Sequence, residues 1–258
     1  MSVDQTVRGA APGGAEPGNE ADSARAVREM FGRVAPRYDL LNHLLSGQLD
    51  RYWRRCLVRA VWPWLSRQHV RVADFCCGTG DLALALWRER ERLQPAGEPA
   101  LLASDFSRPM LQRAAQKMLK ADLRCPLLEA DALRMPLSDG CLDLIAVAYG
   151  FRNLANYRAG AEEFARLLAP HGCLAILEFS QPTSRLWRSV FNVYFKYALP
   201  RLGEAISRSG GAYSYLQQSV ARFPDPEEVC RLLASAGFAR VESHSLTGGV
   251  SVLYLAYR

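Results

Sequence analysis

The sequence lacks any apolar run long enough to cross a bilayer. Its longest hydrophobic stretches are broken by Arg, Asp or Gly, whereas a spanning helix needs roughly 18 or more apolar residues in succession. None of its seven cysteines forms a C-x-x-C pair, so the usual spacing of a zinc site is missing. Several sit in strand-like apolar runs and read as buried thiols of a reducing compartment; no metal is expected. The first 24 residues carry neither the apolar core of a secretory signal nor an Arg-rich amphipathic pattern. They read as a disordered tail, 1–24, and the expected location is the cytoplasm. Nor is there a block of five or more like charges: the net charge of +6 is spread as arginines along helix-like segments. That is the pattern of solvated helix faces, and no nucleic-acid partner is expected.

What the 258 residues do contain, at 49% hydrophobic and 22% charged, is enough for a substantial globular core. From residue 70 short apolar runs alternate with longer helical ones. Strands are expected at 70–75, 100–104, 124–128, 142–148, 173–179, 239–245 and 250–257, with helix-like segments separating the first six. This rhythm implies a doubly wound, mostly parallel seven-stranded α/β sheet. The last two strands are joined by Leu246-Thr247-Gly248-Gly249, too short for a parallel crossover, so an antiparallel hairpin at one edge is expected. Residues 25–258 then form a single domain with two additions, an N-terminal helical cap at 25–66 and a helical insert at 180–223.

The sharpest motif is the run from Val70 to Leu82, VRVADFCCGTGDL, in which a strand enters a glycine turn that opens a helix. Gly78 and Gly80 allow the backbone to approach a ligand, but Gly78-x-Gly80-x-x-Ala83 also satisfies a dinucleotide fingerprint. Charge separates the two. Carboxylates at Asp74 and Asp81 flank the turn and oppose a pyrophosphate, whereas they suit the sulfonium and ammonium of S-adenosylmethionine. Asp105 closes the second strand, where it can accept from ribose hydroxyls of either cofactor. Asp131, with Ala132 beside it, follows the third strand and can accept from an adenine amino group. Three acidic strand ends, the Asp-flanked turn and the final hairpin together describe the class I methyltransferase fold. A short-chain dehydrogenase would need Tyr-x-x-x-Lys, and none of the ten tyrosines has Lys four positions later.

Several stretches closely resemble the C-methyltransferase family of menaquinone and ubiquinone biosynthesis. They are FGRVAPRYDLLN (31–42), DFCCGTGDL (74–82), YGFRN (149–153), LEFSQP (177–182), YSYL (213–216) and Phe223-Pro224. The likeness runs from about Val27 to the C-terminus; GFRN and EFSQP are its specific parts. It implies that Thr79, Asp105, Asp131 and Ala132 contact S-adenosylmethionine, and that a methyl group passes to a ring carbon of a polyprenylated quinol, demethylmenaquinol before a benzoquinol. The sequence departs from the family at Ala148, where some relatives carry Ser, and at His171, where Gly is more usual. Arg152 and Asn153, just past the fourth strand, are the expected catalytic pair, Arg152 stabilising a phenolate and Asn153 orienting a ring hydroxyl. Tyr38, Asp39 and Tyr215 are expected in the substrate pocket, with Asp39 a candidate base. The segment 184–202, aromatic side chains interleaved with Arg and Lys, reads as an amphipathic helix that covers the substrate tail or lies on headgroups at the inner membrane face. A homodimer is compatible with this reading.

Overall fold

In a computed structural model of the chain, the residues described are 25, 27–32, 35, 46–93, 100–182 and 211–258. The expected tail, much of the helical cap with Tyr38 and Asp39, and the segment 184–202 lie outside them.

Seven strands form one sheet in the order β3-β2-β1-β4-β5-β7-β6. They are β1 (Arg71–Phe75), β2 (Ala100–Asp105), β3 (Leu127–Glu129), β4 (Leu142–Ala148), β5 (Leu168–Phe179), β6 (Arg240–Leu246) and β7 (Ser251–Tyr257). The helices are α1 (Leu49–Ala60), α2 (Trp62–Leu65), α3 (Asp81–Leu93), α4 (Arg108–Lys120), α5 (Tyr157–Leu167), α6 (Gly211–Arg222) and α7 (Pro226–Ser235). The central strands are apolar on both faces because both are covered. Val72, Leu144, Ala146, Ala175 and Leu177 pack under α1, α3 and α4, while Ala73, Phe75, Ile145, Val147 and Ile176 pack under α5 and α7.

The hairpin lies at the sheet edge as its short turn requires, and its reversed member is β7, antiparallel to both β5 and β6. The outermost strand β6 therefore runs with the parallel set.

One expected helix is missing. Between β3 and β4 the chain makes only turns through Pro136 and Gly140. Its backbone is satisfied from α5 instead: Glu163 accepts from the Met135 N–H at 2.7 Å, and Arg166 donates to the Leu137 carbonyl at 2.9 Å. Strand order reverses between β1 and β4, so the carboxyl ends of β1, β2 and β4 open onto one crevice, where ligands of such sheets bind.

Candidate active site

Loops leaving β1, β2, β3 and β4 enclose a cleft with about 1050 Å³ of empty space, its mouth included. Asp74, Gly78, Thr79, Asp105, Asp131, Ala132 and Asn153 all line it. Gly80 shapes the turn from behind. It sits at φ 82°, and a Cβ there would come within 3.2 Å of Ala114 on α4.

The acidic groups differ sharply in environment. Asp105 is buried and ties two loops together, accepting from the Gly78 N–H and the Ser107 N–H, each at 2.8 Å. Burial pushes its carboxyl up to about 6, against the pull of those amides. Asp74 is 1% exposed, and neither carboxylate oxygen has a hydrogen-bond partner among the described residues. Burial drives it well above the usual carboxylate range; the Ala83 N–H, close by but outside hydrogen-bond geometry, opposes that and neighbouring Asp105 reinforces it. An orphaned buried carboxylate is costly unless a donor or cation arrives, and it faces the cleft. Asp131 is exposed at the rim and accepts from the Leu133 N–H at 3.0 Å.

Asp81 is engaged elsewhere. Lys117 of α4 lies 2.5 Å from it and Arg54 of α1 3.3 Å, so the cation-attracting charge at the turn falls chiefly to Asp74. Lys117 also donates to the Thr79 hydroxyl at 2.9 Å, and Arg54 pairs with buried Asp50. Neither Lys117 nor Arg54 is flagged by any motif. Only the fold brings α1 and α4 to the turn.

The loop after β4 is held just as tightly. Tyr149 adopts φ 60° and Cys76, after β1, φ 53°, both sparsely populated for side-chain-bearing residues. The two loops meet closely: a Cβ on Gly150 would lie 2.3 Å from that of Cys76, so only glycine fits. The Tyr149 carbonyl accepts from Arg152 Nη1 at 2.6 Å and Asn153 Nδ2 at 3.3 Å.

Arg152 is not presented to the cleft. It is 4% exposed and pairs with fully buried Glu178 at 2.7 Å, its guanidinium over the Phe179 ring. A charge this deep needs a full partner, and Glu178 of β5 supplies it; direct contact with a phenolate, expected from sequence position, does not fit this geometry. Asn153 does line the cleft, and its Oδ1 accepts from the Tyr215 hydroxyl at 2.7 Å. Tyr215 in turn packs edge-on against Phe31, which lines the cleft.

The family model of the ubiE/COQ5 methyltransferase family matches residues 19–258. The demethylmenaquinone methyltransferase of Deinococcus radiodurans is 42% identical over 238 residues, 92% of this chain and 95% of the relative. That of Thermus thermophilus is 44% identical over 229 residues, 89% of this chain and all of the relative. Among solved structures, a SAM-dependent methyltransferase of Thermotoga maritima superposes with a TM-score of 0.59 at 18% identity, covering 89% of this chain and 98% of that one. That last likeness speaks to the fold.

Proposed function

The chain belongs to the ubiE/COQ5 methyltransferase family, and from that premise we propose that it methylates a ring carbon of a polyprenylated quinol, demethylmenaquinol in the first place. The observation that carries this reading is the cleft itself. It joins a buried carboxylate without a partner, Asp74, to a ribose-type acceptor, Asp105, beneath the Asn153–Tyr215 pair.

S-adenosylmethionine, when bound, supplies a methyl group already activated as a sulfonium. Asp105 accepts from the ribose hydroxyls while keeping its amide donors, since each carboxylate oxygen has two lone pairs. Asp74 meets the positive end, Asp131 the adenine amino group, and Ala132 and Thr79 the adjoining walls. Asn153 has one amide hydrogen bonded to the Tyr149 carbonyl and its oxygen bonded to Tyr215, which leaves the second N–H to orient the ring hydroxyl. Arg152 acts as a positioning residue, locking the 149–153 turn onto Glu178. A guanidinium cannot take the quinol proton, which leaves to solvent at the mouth. With the methyl donor held by Asp74 and Asp105, the ring carbon would gain the methyl group with S-adenosylhomocysteine as the leaving group; the ring C–H proton would pass to water and the phenolate oxygen would take one back, so that one proton is released per turnover. Little acid-base chemistry is required, and alignment supplies most of the rate.

The test is transfer of labelled methyl to demethylmenaquinol, a demethylated benzoquinol and RNA in parallel. Label in the naphthoquinol supports the reading, label in the benzoquinol alone moves the substrate to ubiquinone synthesis, and label in RNA alone refutes it.

A further inference from the structure

Helix α1 has two unlike faces. Asp50, Trp53, Leu57 and Val58 are buried, and Arg54 turns inward to the cleft wall. The opposite face exposes Arg51, Tyr52, Arg55 and Arg59. A spacing of four residues sets the three arginines in one row. Large apolar side chains frame that row: Leu49 is 39% exposed, Tyr52 47% and, where the chain enters α2, Trp62 46%. The three arginines make no ion pair among the described residues. Arg51 donates to the Gln48 side chain at 3.3 Å and Arg55 to the Arg51 carbonyl at 3.2 Å. Glu89 on α3, close enough to feel the Arg59 charge, is already bridged to Arg92 at 2.6 Å, and Asp50 is taken by Arg54.

Like charges four apart weaken a helix, so folding gives no reason for this row. Exposed Trp and Tyr beside unpaired arginines match a surface that rests in the headgroup layer of a membrane, rings at the apolar boundary and guanidinium groups on phosphates.

The geometry points to the outer face of α1 and the start of α2 as a docking surface for an anionic lipid bilayer. The occupant follows from charge complementarity and from where the face lies. A helix is about 10–12 Å across, and the far side of this one carries Arg54 into the cleft. A quinol whose tail stays in the bilayer can thus place its ring in the cleft beside the docked helix, a step that rests on the quinol reading above.

The test uses the full chain and quinol-free vesicles, equal parts phosphatidylglycerol and phosphatidylcholine against phosphatidylcholine alone, read by co-sedimentation. Wild type binds the anionic vesicles and is released by salt. The triple variant Arg51→Gln, Arg55→Gln, Arg59→Gln binds on the order of a hundredfold more weakly, from about fivefold for each basic side chain near the surface. Trp62→Ser weakens binding while leaving its salt dependence unchanged. Unaltered affinity of the triple variant for S-adenosylhomocysteine certifies its fold. Absence of anionic-vesicle binding by wild type, or equal binding by the folded triple variant, overturns the proposal. So does a dimer in sedimentation velocity that the triple variant abolishes, which makes the face a contact between copies, or retention of an RNA oligomer but no vesicle. Methyl transfer to a short-tailed, water-soluble quinol is measured separately, so failure of the substrate reading stays distinct from failure of the docking face.

Discussion

Acidification from about pH 7.5 to about pH 5.5 should move fold stability and cofactor affinity in opposite directions through Asp105. Its carboxyl titrates near 6 in the folded chain, against 3.8 as the ordinary value. Between those values the folded state holds more protons than the unfolded one, so Asp105 stabilises most at low pH and its contribution is lost as pH rises through about 6. Across the whole interval the cost of burying the charge is roughly 3 kcal/mol, of which about 0.8 kcal/mol is recovered by acidifying to pH 5.5. The ligand-free protein should therefore resist urea better at the lower pH by that amount. Only the ionised carboxylate offers every acceptor site to the ribose, so S-adenosylhomocysteine should bind about fourfold more weakly at pH 5.5. Calorimetry and urea unfolding are run at both pH values on wild type and Asp105→Asn, and the difference between proteins isolates this residue from other titrating groups. If the Asn variant keeps both pH slopes, the reasoning about Asp105 is refuted.

Arg152→Ala should cost about 3–5 kcal/mol in urea unfolding, because Glu178 is left buried and charged; Arg152→Met combined with Glu178→Leu should recover most of it. If Arg152→Ala instead leaves stability intact and removes only kcat, the side chain acts on substrate after all. Gly150→Ala forces its Cβ onto Cys76 and should weaken S-adenosylhomocysteine binding by roughly 1–3 kcal/mol, with partial rescue by Cys76→Gly. Tyr215→Phe removes the donor to Asn153 and should raise KM for the quinol by about fivefold, near 1 kcal/mol, without altering cofactor affinity; an unchanged KM would dissociate Tyr215 from the substrate.

How much of this was legible beforehand depended on range. The strand rhythm and the glycine turn are local patterns, and all seven strands end within one residue of the expected carboxyl ends, those of β1 to β4 building the cleft; the larger misses are at the starts of β3 and β5. The linker after β3 misled because its turns are stabilised by Glu163 and Arg166, far along the chain. Asp74, Asp105 and Asp131 could be placed from strand ends alone, yet their unequal states could not. Asp74 makes no hydrogen bond among the described residues, Asp105 is amide-bonded to the β1 turn and Asp81 is paired by Lys117 of α4, and the contacts from the β1 turn and from α4 are made only in the fold. Arg152 shows the same limit, for Glu178 lies in a different strand, although both stand in the two most specific family stretches. The arginine row of α1 did carry a signal, the spacing 51, 55, 59, which a search for contiguous charge overlooks.

The most direct measurement is calorimetric titration of the protein with S-adenosylhomocysteine and, separately, with NADH. Binding of the first alone, weakened at least about tenfold in Asp74→Asn, is the expected result, since that carboxylate makes no hydrogen bond among the described residues. Tight association with NADH and none with S-adenosylhomocysteine would contradict the assignment of the cleft.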